Sequence, residues 1–175
     1  MLLYILIGLV ALIVLVLIAA GTRPNTVHYE RSIRIAAPPG RILPHIVDFR
    51  KWMPWSPWEK KDPDLQRTYS GASSGPGAHY HWVGNSKVGE GHMEVLESGP
   101  GGVKIDLRFI KPWKAVCVAQ FHFTPDDDGT QVRWTMDGPQ IFMGKVFGLF
   151  FNMDKAIGKD LEAGLAGLKA VAERG

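Results

Sequence analysis

His79 and His81 stand two apart in AHYHWV, and His92 stands between Glu90 and Glu94 in VGEGHMEVLE. Two imidazoles and a carboxylate are a donor set that zinc accepts. Strand alternation puts these side chains on the face opposite Tyr80 and Trp82, which is the solvent face, and no metal site is expected. Acid-base chemistry has candidates in Asp62, Asp64, Asp106, Asp137 and the histidines. None stands in a recognisable motif, and Asp126, Asp127 and Asp128 of PDDDG suit a turn. The lone cysteine, Cys117, sits in the apolar run AVCVA with no neighbouring charge to activate it. It has no partner for an intramolecular disulfide and reads as a small buried hydrophobe in a reducing compartment. Gly75, Gly77, Gly84, Gly89 and Gly91 do not form a phosphate loop, because strands rather than a helix start follow them. No catalytic residue is assigned and no cofactor is implied.

The stronger pattern is apolar. Read with a period of two, the late strands turn one face inward: Val103, Ile105, Leu107 and Phe109, then Cys117, Ala119, Phe121 and Phe123, then Val132, Trp134 and Met136. Small Cys117 and Ala119 beside large aromatics leave room, and an apolar pocket with a few polar groups takes apolar molecules. The same residues are equally compatible with a filled core.

The elements that position these side chains follow from punctuation. VHYERSIRI alternates as a half-buried strand broken only at Arg31, and APPGRILPHIVDFRKW opens on two prolines and carries Pro44, so two short helices are expected there. Gly, Pro, Asn and Asp clusters then recur between six strand-like runs, LQRTY, AHYHWV, VGEGHMEVLE, VKIDLRFI, KAVCVAQFHFT and TQVRWTMD, with PDDDG the clearest hairpin. After Pro139 the period changes. Val146, Leu149, Phe150, Met153, Ile157, Leu161, Leu165, Leu168 and Val171 form one apolar stripe, which predicts a single helix of about 30 residues. Glycines in that stripe, Gly164 and Gly167 among them, suggest close backbone approach. Seven antiparallel strands curled around a long helix make an α+β domain.

Residues 2–20, LLYILIGLVALIVLVLIAA, carry no charge, and at a helical rise of about 1.5 Å they span roughly 28 Å. A transmembrane helix over residues 1–21 is expected, followed by a short tether over 22–26 and a domain over 27–175. A cleaved signal peptide is the rival, but the segment before the apolar run is Met1 alone and the run is long for a signal. Arg23, Arg31 and Arg34 against Glu30 place the domain in the cytoplasm, as a single-pass protein of the inner membrane. Without residues 1–20 the chain is about 40 % apolar, an ordinary globular composition. The net charge of +3 comes from 20 basic and 17 acidic residues interspersed along the chain, which argues against nucleic acid as a partner.

WMPWSPW, residues 52–58, spaces three tryptophans by three and separates them with Pro54 and Pro57. Four readings compete: a PxxP ligand for a partner domain, a sugar-stacking platform, an interfacial membrane contact and a lid over a cavity. The stiff loop favours the lid, formed by Trp52, Trp55 and Trp58.

The element order, WMPWSPWEKKDP after the small helices, YSGASSGPGAHYHWVGN and the terminal MDKAIGKDLEAGLAGLK resemble the helix-grip or SRPBCC superfamily, and within it the bacterial polyketide cyclase/dehydrase-like proteins. The resemblance covers about residues 27–172. It implies a cavity between sheet and long helix that holds a hydrophobic small molecule or lipid, and no shared catalytic set. The ligand-binding residues expected on that fold are Tyr80, Trp82, Leu107, Phe109, Phe121, Trp134, Met136, Phe150, Met153 and Ile157. Binding without turnover, at a domain tethered to the membrane, is the favoured expectation. A cyclase or dehydratase acting on a polyketide-like substrate and a regulatory interaction module are the alternatives.

Overall fold

The computed structural model describes residues 1–174. The last residue of the expected domain, Gly175, lies outside them. The chain runs α1 (Leu2–Gly21), β1 (Thr26–Ile35), α2 (Pro39–Val47), two 3-10 turns (Phe49–Lys51 and Trp58–Lys60), β2 (Gln66–Gly71), β3 (Ala78–Val83), β4 (Glu90–Gly99), β5 (Gly102–Lys111), β6 (Ala115–Asp126), β7 (Gly129–Pro139), α3 (Phe142–Phe150) and α4 (Met153–Ala172). The strands form one antiparallel sheet in the order β1-β7-β6-β5-β4-β3-β2. β1 and β2 occupy opposite edges, so the stretch between them must cross the sheet, and α2 with the tryptophan loop makes that crossing.

The PDDDG turn closes β6 onto β7 with Asp127 in the left-handed region at φ 49°. Aspartate tolerates that backbone because its short side chain bonds locally. Arg34 on β1 holds the same hairpin through Asp126 (2.8 Å) and Asp128 (2.7 Å). Arg31, the break in the alternation of β1, reaches α4 instead, at 2.8 Å from Glu162 and 3.1 Å from Asp154, over the bare backbone of Gly158.

α4 lays Leu161, Leu165, Leu168 and Ala172 into the core against the concave face of the sheet, where Val95, Ile105, Phe121, Val132 and Trp134 are buried. Two glycines allow the approach. A Cβ on Gly164 would stand 2.7 Å from Trp134 Cζ3, and one on Gly167 would stand 2.5 Å from the Trp55 carbonyl oxygen.

The C-terminal stripe is two helices rather than one. The chain turns extended at Phe151 (φ −127°, ψ 135°), and Asn152 restarts it by accepting a 2.8 Å bond from the Lys155 amide. Asparagine at a helix N-cap satisfies an otherwise orphaned N–H, so the backbone breaks there although the apolar spacing continues across it. α4 grips the sheet, whereas α3 swings out to pack against α1.

Candidate functional site

The row Ala115, Cys117, Ala119 along the inner face of β6 is the physical origin of the site. Three small side chains in the middle of the sheet leave unfilled the space that their large neighbours define. The result is an apolar cavity of about 510 Å³. Tyr80 and Trp82 of β3, Leu107 and Phe109 of β5 and Trp134 and Met136 of β7 form its sheet wall. Met153 and Ile157 from the first turns of α4 face them, and Met143 and Phe147 of α3 stand at its mouth with Trp113 from the β5–β6 turn.

Eight of the ten expected ligand contacts therefore line the cavity, and two do not. Phe121 lies beneath it, stacked on Trp134 at 4.6 Å between ring centroids and buried in the core. Phe150 is 66 % exposed on the outer side of α3, because the break at Phe151 carries this helix off the stripe of α4.

The tryptophan loop divides in the same way. Trp52 Nε1 donates to the Ile46 carbonyl (2.9 Å) and Trp55 Nε1 to the His45 carbonyl (3.0 Å). These are carbonyls of the last turn of α2, which lack intrahelical partners. Two indoles three residues apart on a tight turn thus cap two successive carbonyls, which accounts for the spacing. Trp52 and Trp58 line the cavity, with Trp58 edge-on to Trp134 at 5.7 Å. Trp55 is not part of a lid: it is 1 % exposed and packs in the core against α4 at Gly167.

Polar groups in the wall are few and mostly engaged. Glu59, only 8 % exposed, accepts from Tyr80 Oη at 2.6 Å through Oε1 and pairs with Arg67 Nε at 2.6 Å through Oε2. Burial, reinforced by the Glu59 carboxylate, pushes the Tyr80 phenol far above its ordinary range, so it remains a donor. Asp160 of α4 pairs with Lys61 Nζ at 2.5 Å. Burial raises the Cys117 thiol, with the Asp137 charge adding to it, and disfavours the nucleophilic thiolate. Among the described residues, Trp134 Nε1 is the one buried side-chain nitrogen or oxygen without a hydrogen-bond partner. His79, His81 and His92 lie across the sheet from the cavity, with His79 near Glu94 (3.9 Å) and His81 near Glu90 (3.5 Å). No cluster that could hold a metal ion occurs among the described residues.

Sequence reasoning did not assign Glu59, Ser56, Asp160 or Trp113 to the site, although all four line it. For Glu59 and Asp160 no signal existed, since a lone carboxylate in a turn or on a helix reads as a solvated group.

A family model described as polyketide cyclase / dehydrase and lipid transport matches residues 26–173. The chain belongs to this family. The polyketide cyclase/dehydrase and lipid transport fold is shared with solved structures of low identity. A protein from Chromobacterium violaceum superposes with a TM-score of 0.58 at 16 % identity over 86 % of this chain and 99 % of that one. A protein from Thermus thermophilus gives 0.56 at 17 % identity over 83 % and 97 %. The di-domain ARO/CYC protein StfQ of the steffimycin biosynthetic pathway gives 0.60 at 10 % identity over 85 % of this chain and 51 % of its own. No curated protein sequence matches the chain. Membership supports binding of a hydrophobic ligand or a cyclase role. By length and composition α1 suits either a membrane anchor or a signal sequence.

Proposed function

We propose that this protein is a membrane-anchored binding protein that holds a hydrophobic small molecule or lipid between sheet and α4 without turning it over. The observation that carries this reading is the cavity of about 510 Å³ walled by apolar and aromatic side chains. That size falls within the range of small-molecule sites, roughly 300–1,000 Å³. Binding is favoured over the cyclase reading because Glu59 has both oxygens committed, Asp160 is paired with Lys61, and Cys117 is held as a thiol. General-base or nucleophilic catalysis needs such a group free or activated. Tyr80, Trp82, Leu107, Phe109, Trp134 and Met136 would contact the ligand from the sheet, and Met153 and Ile157 from α4, with Trp52 and Trp58 closing the far wall.

α1 would serve as a single transmembrane span over residues 1–21, tethered by residues 22–26, with Arg23 on the domain side favouring a cytoplasmic domain. Native mass spectrometry of the full chain released from detergent tests the binding. An adduct with the mass of a membrane lipid or apolar metabolite is expected. Conversion of the adduct to a product of different mass would favour the enzyme, and a chain that binds no apolar probe would refute the reading.

A further inference from the structure

Among the described residues, most of the exposed large apolar side chains outside α1 gather where the cavity opens. α3 exposes Phe142, Met143, Phe147 and Phe150, Phe151 is exposed just after it, and Trp113 approaches Phe147 at 5.7 Å between ring centroids. Patches of that kind on a monomeric protein mark an interaction surface.

What covers it is indicated by α1. α3 packs against α1, and within α1 only Val16, Ala19 and Ala20 lose exposure, all in its last turns. If α1 spans a bilayer, those turns stand at the level where acyl chains give way to headgroups. The connection is short and bonded: the Gln140 amide donates to the Asn25 carbonyl at 2.8 Å, and Lys145 Nζ donates to Asn25 Oδ1 at 2.6 Å. α3 is therefore held beside the domain-side end of the span. Amphipathic segments at that depth bury their apolar face about 5–10 Å into the boundary layer, and tryptophan and basic residues favour it. Trp113 is flanked by Lys111 and Lys114, and Arg23 stands just beyond the span.

We propose that α3, Phe151 and Trp113 lie in the interface of the leaflet that α1 leaves, so that the cavity mouth between Phe147, Met143 and Trp113 opens into the acyl layer and its occupant, a membrane lipid, passes laterally without crossing water. The inference rests on the binding reading only for what passes the mouth. The position of the mouth stands separately. A second copy of the chain could cover the same patch, but the bilayer is favoured because the patch is continuous with a span that is itself bare.

The test uses the full chain in vesicles of phosphatidylcholine and phosphatidylglycerol whose acyl chains carry bromine near the headgroup end. The emission lost in Trp113→Phe isolates Trp113 from the other five tryptophans. In the wild type this component should be mostly quenched by the brominated lipid. In Phe142→Glu/Phe150→Glu, whose altered positions are 51 % and 66 % exposed and do not line the cavity, the quenching should largely disappear. An unquenched Trp113 in the wild type would overturn the inference. So would a Trp113 shielded from both brominated lipid and aqueous iodide in a dimeric chain, which would assign the patch to a second copy. Binding of cis-parinaric acid in detergent, measured on the same proteins, separates the two readings. Quenching without fatty-acid binding leaves the mouth in the membrane and removes the lipid-binding function, whereas binding without quenching does the reverse.

Discussion

Tyr80 on β3 and Glu59 in the tryptophan loop are joined by a 2.6 Å hydrogen bond inside the apolar wall. The bond ties the crossing segment to the far half of the sheet, and Arg67 takes the other carboxylate oxygen, so each oxygen of Glu59 has one partner. Removing the donor isolates a buried acceptor. Tyr80→Phe should lower stability by about 1–3 kcal/mol, the cost of an unsatisfied buried polar group, although it removes one oxygen only. Urea denaturation measures this. A change within error would mean that water replaces the hydroxyl and that the wall is wetter than its lining residues indicate.

Core and cavity wall should respond differently to truncation. Phe121 is fully buried beneath Trp134 and touches no open space, so Phe121→Ala should cost about 3–5 kcal/mol. Phe109 borders the cavity and is only partly buried, so Phe109→Ala should cost noticeably less while changing the affinity for an apolar probe. Equal losses at the two positions would place Phe109 in packed core.

How far these positions could be read from sequence depends on whether a local rule or a tertiary contact set them. The seven strands and the PDDDG hairpin were legible because alternation and turn residues act over a few neighbours, and the inward faces of β5, β6 and β7 follow directly from a period of two. The split of the last helix was not, because the spacing of Phe150, Met153 and Ile157 continues unbroken while the backbone turns extended at Phe151 and Asn152. Trp55 was misassigned to a lid because three indoles in a row look alike in sequence. Only the carbonyls of His45 and Ile46 and the bare face of Gly167 decide which ring goes to the core. Glu59 was invisible for the opposite reason, since its partners Tyr80 and Arg67 come from β3 and β2.

pH dependence has one well-placed reporter. His28 on β1 shares a 2.6 Å hydrogen bond with Asp137 on β7, and this bond, with help from the Asp137 and Glu30 charges, raises the imidazole above its ordinary value. A group whose folded pKa is raised stabilises the fold fully below its unfolded pKa, about 6.5, and loses that contribution as pH climbs through the folded value. The thermal midpoint of wild type should therefore exceed that of His28→Gln most near about pH 5.5, and the gap should shrink by about pH 8.5. The pair is exposed, so the effect is small and should weaken in salt. A gap that widens with pH would contradict the raised imidazole.

Glycines on the two C-terminal helices give a pair of substitutions with opposite signs. Alanine is preferred to glycine in a helix interior by about 1 kcal/mol, so Gly148→Ala in α3, where a Cβ meets nothing within 4 Å, should stabilise by up to that amount. Gly167→Ala carries the same propensity gain, but its Cβ would stand 2.5 Å from the Trp55 carbonyl oxygen and 3.0 Å from Trp55 Cα. Backbone cannot swing aside as a flexible side chain does, so α4 or the tryptophan loop must move. Overpacking of this kind costs about 1–3 kcal/mol and should outweigh the propensity gain. The displaced loop carries Trp52 and Trp58, so Gly167→Ala should also shift the tryptophan emission and weaken binding of an apolar probe, whereas Gly148→Ala should leave both unchanged. If Gly167→Ala proves as stable as wild type with unaltered emission, the close approach of α4 to Trp55 is wrong, and with it the account of why this loop is fixed against the cavity.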